Sequence, residues 1–425
     1  MDLFGELEWR GLLYDATDGL REALVRGALT GYSGFDPTAS SLHVGNLMPM
    51  MALARLQRSG HSPIALVGGG TGLIGDPSGK TAERALLTAE QVEANVEGIR
   101  GQLARFLDFE DAARPARLVD NAEWLTKIGA MEFLRDIGKH FTVNYMLAKE
   151  SVKRRLESED GISYTEFSYL LLQSYDFLVL HDRFNCTLQI GGSDQWGNIT
   201  AGCDLIRRLR GTKAHGLVQP LITTASGAKF GKTEAGTIWL DPEQTSPFRF
   251  YQFFLNTDDA DVVKYLKFFT FLDQETIGGL ERTTKEAPQQ REAQRVLAAE
   301  VTRLVHGAQQ VERAEKASGV LFGADIATLP AEDVLAVFDD VPSSSLPVEL
   351  LGGEGVAVAE LLAGSGLATS KGEATRLIRG GGVYVNNRRV TDERARVRAS
   401  DAIDGRLFVL RKGAKQNHVV KIQRD

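Results

Sequence analysis

"PIALVGGGTGLIGDPSGKT", residues 63–81, decides the fold of this 425-residue chain. Its first part, PIALVGG (63–69), is a short apolar run ending in paired glycines. A strand covered on both faces reads this way, because neither face has to meet water. CTLQIGG (186–192) has the same form. From about 28 to 240 such runs alternate with longer helical patterns. That alternation predicts a doubly wound α/β domain with its site at the carboxyl ends of parallel strands.

The glycines and lysines around these strands mimic nucleotide loops without matching them. GDPSGKT (75–81) and GAKFGKT (227–233) each place three residues before Gly-Lys-Thr, where a P-loop needs four. Gly70, Gly72 and Gly75 form G-x-G-x-x-G, but the third glycine should open a helix, and Asp76-Pro77-Ser78-Gly79 reads as a turn. Two readings remain for 68–81. One is a glycine-rich turn without a ligand. The other is a loop whose backbone approaches a ligand, with Asp76 pointing in and Lys80 and Arg84, four apart, offering cations to phosphates. Lys229 and Lys232 in KFGKT (229–233) read either as a phosphate clamp or as a solvated turn.

Three further stretches carry polar side chains in patterned positions. GFDPTASSLHVGN (34–46) holds Thr38, His43 and Asn46, with His43 and Asn46 on the first turn of a predicted helix, where free N–H groups suit phosphate. Gly45 between them leaves room for a flat group against the backbone. SYTEFSYLLLQSYDF (163–177) starts with a capping-box signature, Ser163 and Glu166, and puts Tyr169, Gln173 and Asp176 on one face of an otherwise apolar helix. Such a stripe either bonds other protein groups or faces a polar ligand. IGGSDQWGN (190–198) sets Asp194, Gln195 and Asn198 just past a strand. There an acid reads a ribose hydroxyl, or Ser193 or Asp194 caps a helix.

Composition is ordinary for a globular protein, 43% hydrophobic and 25% charged. The opening MDLFGELEWRGLLYDATDGL lacks the basic-then-apolar order of a secretory signal, and no apolar run reaches membrane-spanning length. Cys186 and Cys203 form no Cys-x-x-Cys pair, so a disulfide framework or zinc site is not expected. The expectation is a cytoplasmic protein. From Ser345 onward 14 Lys and Arg face 9 Asp and Glu, while the rest carries 35 against 47. An acidic body with a basic tail points to a polyanionic partner for the tail.

The expected organisation is a Rossmann-like domain over 1–240 with an insertion at about 125–160, a helical domain over 241–325, a linker over 326–355, and a small α+β unit over 356–425. The linker reading rests on DDVPSSSLPVELLGGEG, which gathers Pro, Ser and Gly.

Together these stretches resemble the bacterial-type tyrosyl-tRNA synthetases, a family of class I aminoacyl-tRNA synthetases. HVGN stands in the place of the His-Ile-Gly-His signature, and KFGKT in the place of Lys-Met-Ser-Lys-Ser. GFDPTA precedes the first and GGSDQWGN the second, and the order and separation make the match specific. The tail VAELLAGSGLATSKGEATRLIRGGGVYVNNRRVTD (358–392) resembles the ribosomal-protein S-four type of RNA-binding module.

The resemblance implies a fold and a set of roles. The fold is α/β: a Rossmann-like doubly wound parallel sheet, then a helical domain and a small α+β RNA-binding domain. Substrates are L-tyrosine, ATP and tRNA(Tyr), with Mg²⁺ accompanying ATP and no dedicated metal cage in the protein. Thr38 and His43 contact the leaving phosphates, and Asn46 the ribose or nucleotide. Lys80, Arg84, Lys229, Lys232 and Thr233 gather around pyrophosphate. Gly34, Asp36, Gly45, Gly192, Asp194 and Gln195 hold the adenylate. Tyr32 and Asp176 bond the substrate phenol; Asp76, Tyr169 and Gln173 hold its ammonium group, with Gln195 beside them. Lys371, Arg376, Arg379, Arg388 and Arg389 meet RNA phosphates, the last two from a hairpin turning at Asn386-Asn387. A homodimer with each tRNA crossing between subunits is implied, and no editing domain.

Overall fold

The computed structural model describes residues 2–76, 87–157, 161–225, 227, 230–233, 236–321, 326, 329–338, 341–413 and 416–423, with the backbone alone at 151, 232, 233 and 321. Lys80, Arg84 and Lys229 lie outside the described residues, as do the side chains of Lys232 and Thr233. The chain divides into two compact units. The first spans 1–245 and 256–305, the second 246–255 and 306–425.

The first unit is built on a six-stranded sheet: β1 (Asp15–Ala16), β2 (Thr30–Phe35), β3 (Ser62–Val67), β4 (Arg117–Asp120), β5 (Cys186–Gly192) and β6 (His215–Gln219), in the order β1-β6-β5-β2-β3-β4. Only the edge strand β1 runs antiparallel. The residues of β3 from Pro63 to Val67 are all buried, as the apolar run requires. Strand order reverses beside β2, which pairs with β3 on one side and with β5 on the other. A doubly wound sheet opens its binding crevice at such a reversal.

Two helices serve that crevice. Leu47–Arg58 follows β2 and buries Leu47, Met50, Met51, Leu53 and Leu56. Tyr164–Phe184 is 21 residues long, starts where Ser163 accepts from the Glu166 N–H, and stops at Asn185 with φ 50°. The Glu166 carboxylate turns to Arg155 at 2.8 Å, a pair buried on both sides. Burial of Leu170, Leu171, Phe177, Leu178 and Leu180 fixes the helix against the sheet and its neighbours.

The second unit corrects the expected boundaries. Helix Ala331–Val337 and strand β9 (Ser343–Pro347) lie inside the stretch read as a linker. With β11 (Val383–Val385), β12 (Arg388–Val390), β14 (Leu407–Lys412) and β15 (Gln416–Gln423), β9 makes a five-stranded sheet ordered β12-β11-β14-β15-β9; β10 (Val356–Ala357) and β13 (Arg396–Val397) pair separately. At an edge, pairing comes from backbone groups, so a Ser-rich segment ending in proline can serve as a strand. The helices expected to form a domain over 241–325 divide instead. Asp259–Phe269 and Gln274–Glu286 belong to the first unit, Pro247–Leu255 and Ala308–Leu321 to the second. In the second unit Gln252 Nε2 donates to Ser318 Oγ at 2.6 Å, and Phe250 meets His306 edge-on.

Candidate functional site

A cavity of about 490 Å³ opens at the carboxyl ends of β2 and β5. Tyr32, Gly34, Asp36, Thr38, His43, Gly45, Asn46, Asp76, Tyr169, Gln173, Asp176, Gly192, Asp194 and Gln195 all line it. Fourteen candidates from four separate stretches thus meet in one place.

At one end stand Tyr32, on β2, and Asp176. Tyr32 is 1% exposed and its hydroxyl has no hydrogen-bond partner among the described residues. Asp176 is 2% exposed, and both of its oxygens are held: Oδ1 by Trp124 Nε1 at 2.7 Å, Oδ2 by Asn121 Nδ2 at 2.9 Å. Burial pushes the Asp176 carboxyl up to about 8, against the pull of these two donors. Burial, and then the nearby Asp176 charge, raise the Tyr32 phenol well above its ordinary value. An unpartnered hydroxyl beside a fixed carboxyl suits a ligand that both donates and accepts, as a phenol does.

The middle of the cavity is a chain of side-chain hydrogen bonds. Gln195 Nε2 donates to Asp76 Oδ2 at 2.8 Å, and Gln195 Oε1 accepts from Gln173 Nε2 and Asn198 Nδ2, each at 3.3 Å. Asn198 also donates to Gln173 Oε1 at 2.9 Å. The Tyr169 hydroxyl donates to Asp36 Oδ2 at 2.8 Å, and Thr71 Oγ1 to Asp36 Oδ1 at 2.9 Å. The stripe Tyr169–Gln173–Asp176 therefore does both things left open above: it bonds protein groups and it faces a cavity.

At the other end, His43 precedes a 3₁₀ turn, Val44–Asn46, that leads into helix Leu47–Arg58. The Gly45 N–H donates to His43 Nδ1 at 3.0 Å, so the neutral ring carries its proton on Nε2. Asn46 Oδ1 accepts from the His43 N–H at 3.0 Å, which leaves the amide's Nδ2 as its donor. The flat group against Gly45 is the imidazole itself: a Cβ there would stand 2.7 Å from His43 Cε1. The backbone carries the lysine segment to this turn. Val44 N donates to Ile238 O, Leu240 N to Leu42 O, and the short strand β7 (Lys232–Thr233) pairs with β8 (Gly236–Thr237).

The glycine run of the opening stretch is committed elsewhere. Gly69 N donates to Asp120 Oδ1 and Gly70 N to Asn121 Oδ1. These two amides hold side chains and are not offered to a phosphate. The cap positions here are Gly192, before the 3₁₀ turn Ser193–Gln195, and Gln195, before helix Trp196–Arg210; among the described residues neither makes a side-chain capping bond.

Sequence reasoning missed Asn121, Trp124 and Thr71. For Asn121 and Trp124, VDNAEW (119–124) carried a usable signal, a polar pair at the end of strand β4, much like the one that singled out Asp194.

In the second unit Lys371, Arg376, Arg379, Arg388 and Arg389 are all exposed. Asn386 and Asn387, φ 48° and 60°, turn the β11–β12 hairpin. Lys371 pairs with Glu360, and Arg379 with Glu393. Tyr384 stands opposite Arg389 on β12 and Arg411 on β14, and the Arg411 guanidinium lies 3.9 Å from its ring centre. Arg411 was not expected.

Known proteins match this chain along its length. The family "tRNA synthetases class I (W and Y)" matches residues 25–323, and "Tyrosine--tRNA ligase SYY-like C-terminal domain" matches 333–420. The chain is 58% identical to the tyrosine–tRNA ligase of Roseiflexus castenholzii over 420 residues, 99% of each chain. It is 53% identical to that of Bacillus caldotenax over 424 residues, 99% of this chain and 100% of the other. Among solved structures, a C-terminally truncated mitochondrial tyrosyl-tRNA synthetase from Aspergillus nidulans superposes with a TM-score of 0.68 at 32% identity, covering 76% of this chain and 94% of that one.

Proposed function

The chain belongs to the class I tyrosyl-tRNA synthetases and is a tyrosine–tRNA ligase, and from that premise we propose how its residues divide the work. In the first step a tyrosine carboxylate oxygen bonds to the α-phosphorus of ATP, the bond from that phosphorus to the bridging oxygen breaks, and pyrophosphate leaves. The carboxylate is already ionised near neutral pH, so no base is needed. Rate then comes from positioning and from stabilising the charge that develops on the phosphates. In the second step the terminal hydroxyl of tRNA(Tyr) attacks the carbonyl carbon and displaces AMP.

Tyr32 donates to the substrate phenol oxygen, and Asp176, oriented by Trp124 and Asn121, accepts its hydrogen. Asp76, Tyr169 and Gln173 hold the ammonium group, with Gln195 bridging Asp76 and Gln173. Gly34, Asp36, Gly45, Gly192 and Asp194 hold ribose and α-phosphate. Thr38, His43 through Nε2, and Asn46 serve the nucleotide and its leaving phosphates. Lys80, Arg84, Lys229 and Lys232 neutralise pyrophosphate and Thr233 donates a hydrogen bond to it; these five rest on the resemblance alone. Mg²⁺ enters with ATP as part of the substrate.

We also propose a homodimer. Met131, Leu134, Val143, Leu147, Leu156 and Tyr164 are large apolar side chains left exposed, Met131 by 80% and Tyr164 by 74%, and they fall within one sequence stretch of the first unit. A second copy of the chain covers such a face. No helix among the described residues is long and apolar enough to cross a membrane, and a cytoplasmic location is proposed. The exposed arginines of the second unit hold tRNA phosphates.

The observation behind the activation reading is that one cavity joins the Tyr32–Asp176 end to the His43 turn. Amino-acid-dependent exchange of pyrophosphate into ATP, without tRNA, tests it. Exchange with tyrosine alone is expected. Exchange with tryptophan would overturn the pocket, and none at all the activation chemistry.

A further inference from the structure

We propose that Phe230 is a positioning residue for the activation step, seated on helix Asp259–Phe269, which serves as a common bed for the lysine segment and the His43 turn. The inference rests on the activation reading above.

One face of this helix meets the chain at three points, two just before the lysine segment and one within it. Asp261 Oδ2 accepts from Ala225 N at 2.8 Å, and Lys264 Nζ donates to Thr223 O at 2.9 Å. Phe230 stacks on Phe269, centroids 5.3 Å apart and planes at 17°, and meets Tyr265 at 4.9 Å and 62°. Residues 261, 264, 265 and 269 share a helix face. Phe230 is 6% exposed, so the ring is a buried plug rather than a surface contact. In sequence the tethers at 225 and 230 flank Lys229, and Phe230 stands two residues before Lys232.

The C-terminal end of the helix is also tied to the helix that follows the His43 turn. Its last carbonyls lack helical partners, and two buried guanidiniums meet them. Arg55 Nη2 donates to Phe268 O at 2.8 Å and Thr270 O at 3.0 Å; Arg10 donates to Lys267 O at 2.9 Å and Leu272 O at 2.8 Å. Positive charge at a helix C-terminus is favourable. Arg55 belongs to helix Leu47–Arg58, whose N-terminal turn carries Val44, Gly45 and Asn46. A closed frame results, from the His43 turn through Arg55 to the bed helix, then through Phe230 back to the turn.

Gly231 makes the return contact. Its φ is +80°, and a Cβ there would stand 2.5 Å from Val44 Cγ2. Its carbonyl accepts from Ile238 N at 3.1 Å, while Ile238 O accepts from Val44 N at 3.0 Å. Phe-Gly at 230–231 thus does what a plug followed by a close backbone approach requires, and the departure from Met-Ser has a physical reason. An apolar ring fills the bed, and only glycine fits both the left-handed turn and the valine.

The test is single-turnover adenylate formation, with tyrosine affinity measured in parallel, in the full chain and in Phe230→Ala, Phe230→Met and Phe269→Ala. Without the plug the segment is no longer seated on the helix, so Phe230→Ala should slow the step on the order of 10- to 100-fold, with tyrosine affinity changed less than about twofold. Phe230→Met, which refills the bed with a flexible apolar chain, should restore most of the rate. Phe269→Ala should slow the step as well, and the double variant should fall short of the product of the two single effects. A Phe230→Ala rate within about twofold of the parent, or tyrosine binding lost in step with rate, would overturn the proposal. If Phe230→Ala does not fold, Phe230→Val decides: a rate within about twofold of the parent overturns the proposal, and a slower rate at unchanged tyrosine affinity supports it. A parent chain that shows no tyrosine-dependent exchange would instead remove the underlying activation reading.

Discussion

Trp124 donates its indole N–H to Asp176 Oδ1 at 2.7 Å from outside the cavity, while Asp176 faces inward. The indole aims the carboxylate without touching a ligand. Since Asn121 holds the second oxygen, the carboxyl plane is set before any substrate arrives. Preorganised acceptors discriminate because a ligand lacking the matching donor leaves them unpaired.

Trp124→Phe keeps a buried ring and removes the donor. The expected result is a fall in kcat/KM for tyrosine on the order of 10-fold or more, with the slow rate for phenylalanine little changed. Pyrophosphate exchange with each amino acid measures both. An equal loss for the two would show that the indole acts on general packing and not on discrimination.

The Asp176 carboxyl gives the ligand-free protein a pH dependence of definite sign. Its pKa rises on folding from 3.8 to about 8, so within that window the native state binds more protons than the unfolded chain. Stability from this group therefore falls as pH rises through the window, and the loss is complete above it. Asp176→Asn cannot ionise. Whatever constant offset the amide brings, its melting temperature should gain on the parent's between about pH 5 and pH 9. Calorimetry without tyrosine checks this; an offset independent of pH would show that Asp176 does not titrate in that window.

In the second unit Arg389 is exposed on β12, and its Nε donates to Gly381 O at 2.7 Å. If this arginine neutralises one tRNA phosphate, Arg389→Ala should weaken tRNA binding and reduce the slope of log affinity against log salt by roughly one. Titrations at several salt concentrations measure that slope. An unchanged slope would place Arg389 outside the RNA face.

Much of this was legible in the sequence, for reasons particular residues show. β3 and β5 are runs that only a doubly covered strand tolerates, and the hairpin at Asn386-Asn387 needs two left-handed residues and has two asparagines. The cavity was legible because its residues come in short stretches fixed to strand ends and helix starts. What was not legible is long-range. Nothing local marks Trp124 as the partner of Asp176, 52 residues on. Ser343–Pro347 looks like a linker because its order comes from the backbone of β15 and not from its own side chains. The aromatic helix Pro247–Leu255 was grouped with its sequence neighbours, although its apolar face packs in the other unit.

The reversal beside β2 also has a price in time. β2 is made early and pairs with β3 soon afterwards, but its other edge waits for Cys186–Gly192 to be synthesised. At translation rates of about 5–20 residues per second that delay is on the order of ten seconds. Throughout it the nascent chain presents an open edge at Thr30, Gly31 and Tyr32, on the strand that later frames the crevice. The strand arrangement that makes a binding site in the finished protein is thus, on the ribosome, an open edge available for pairing with the wrong strand.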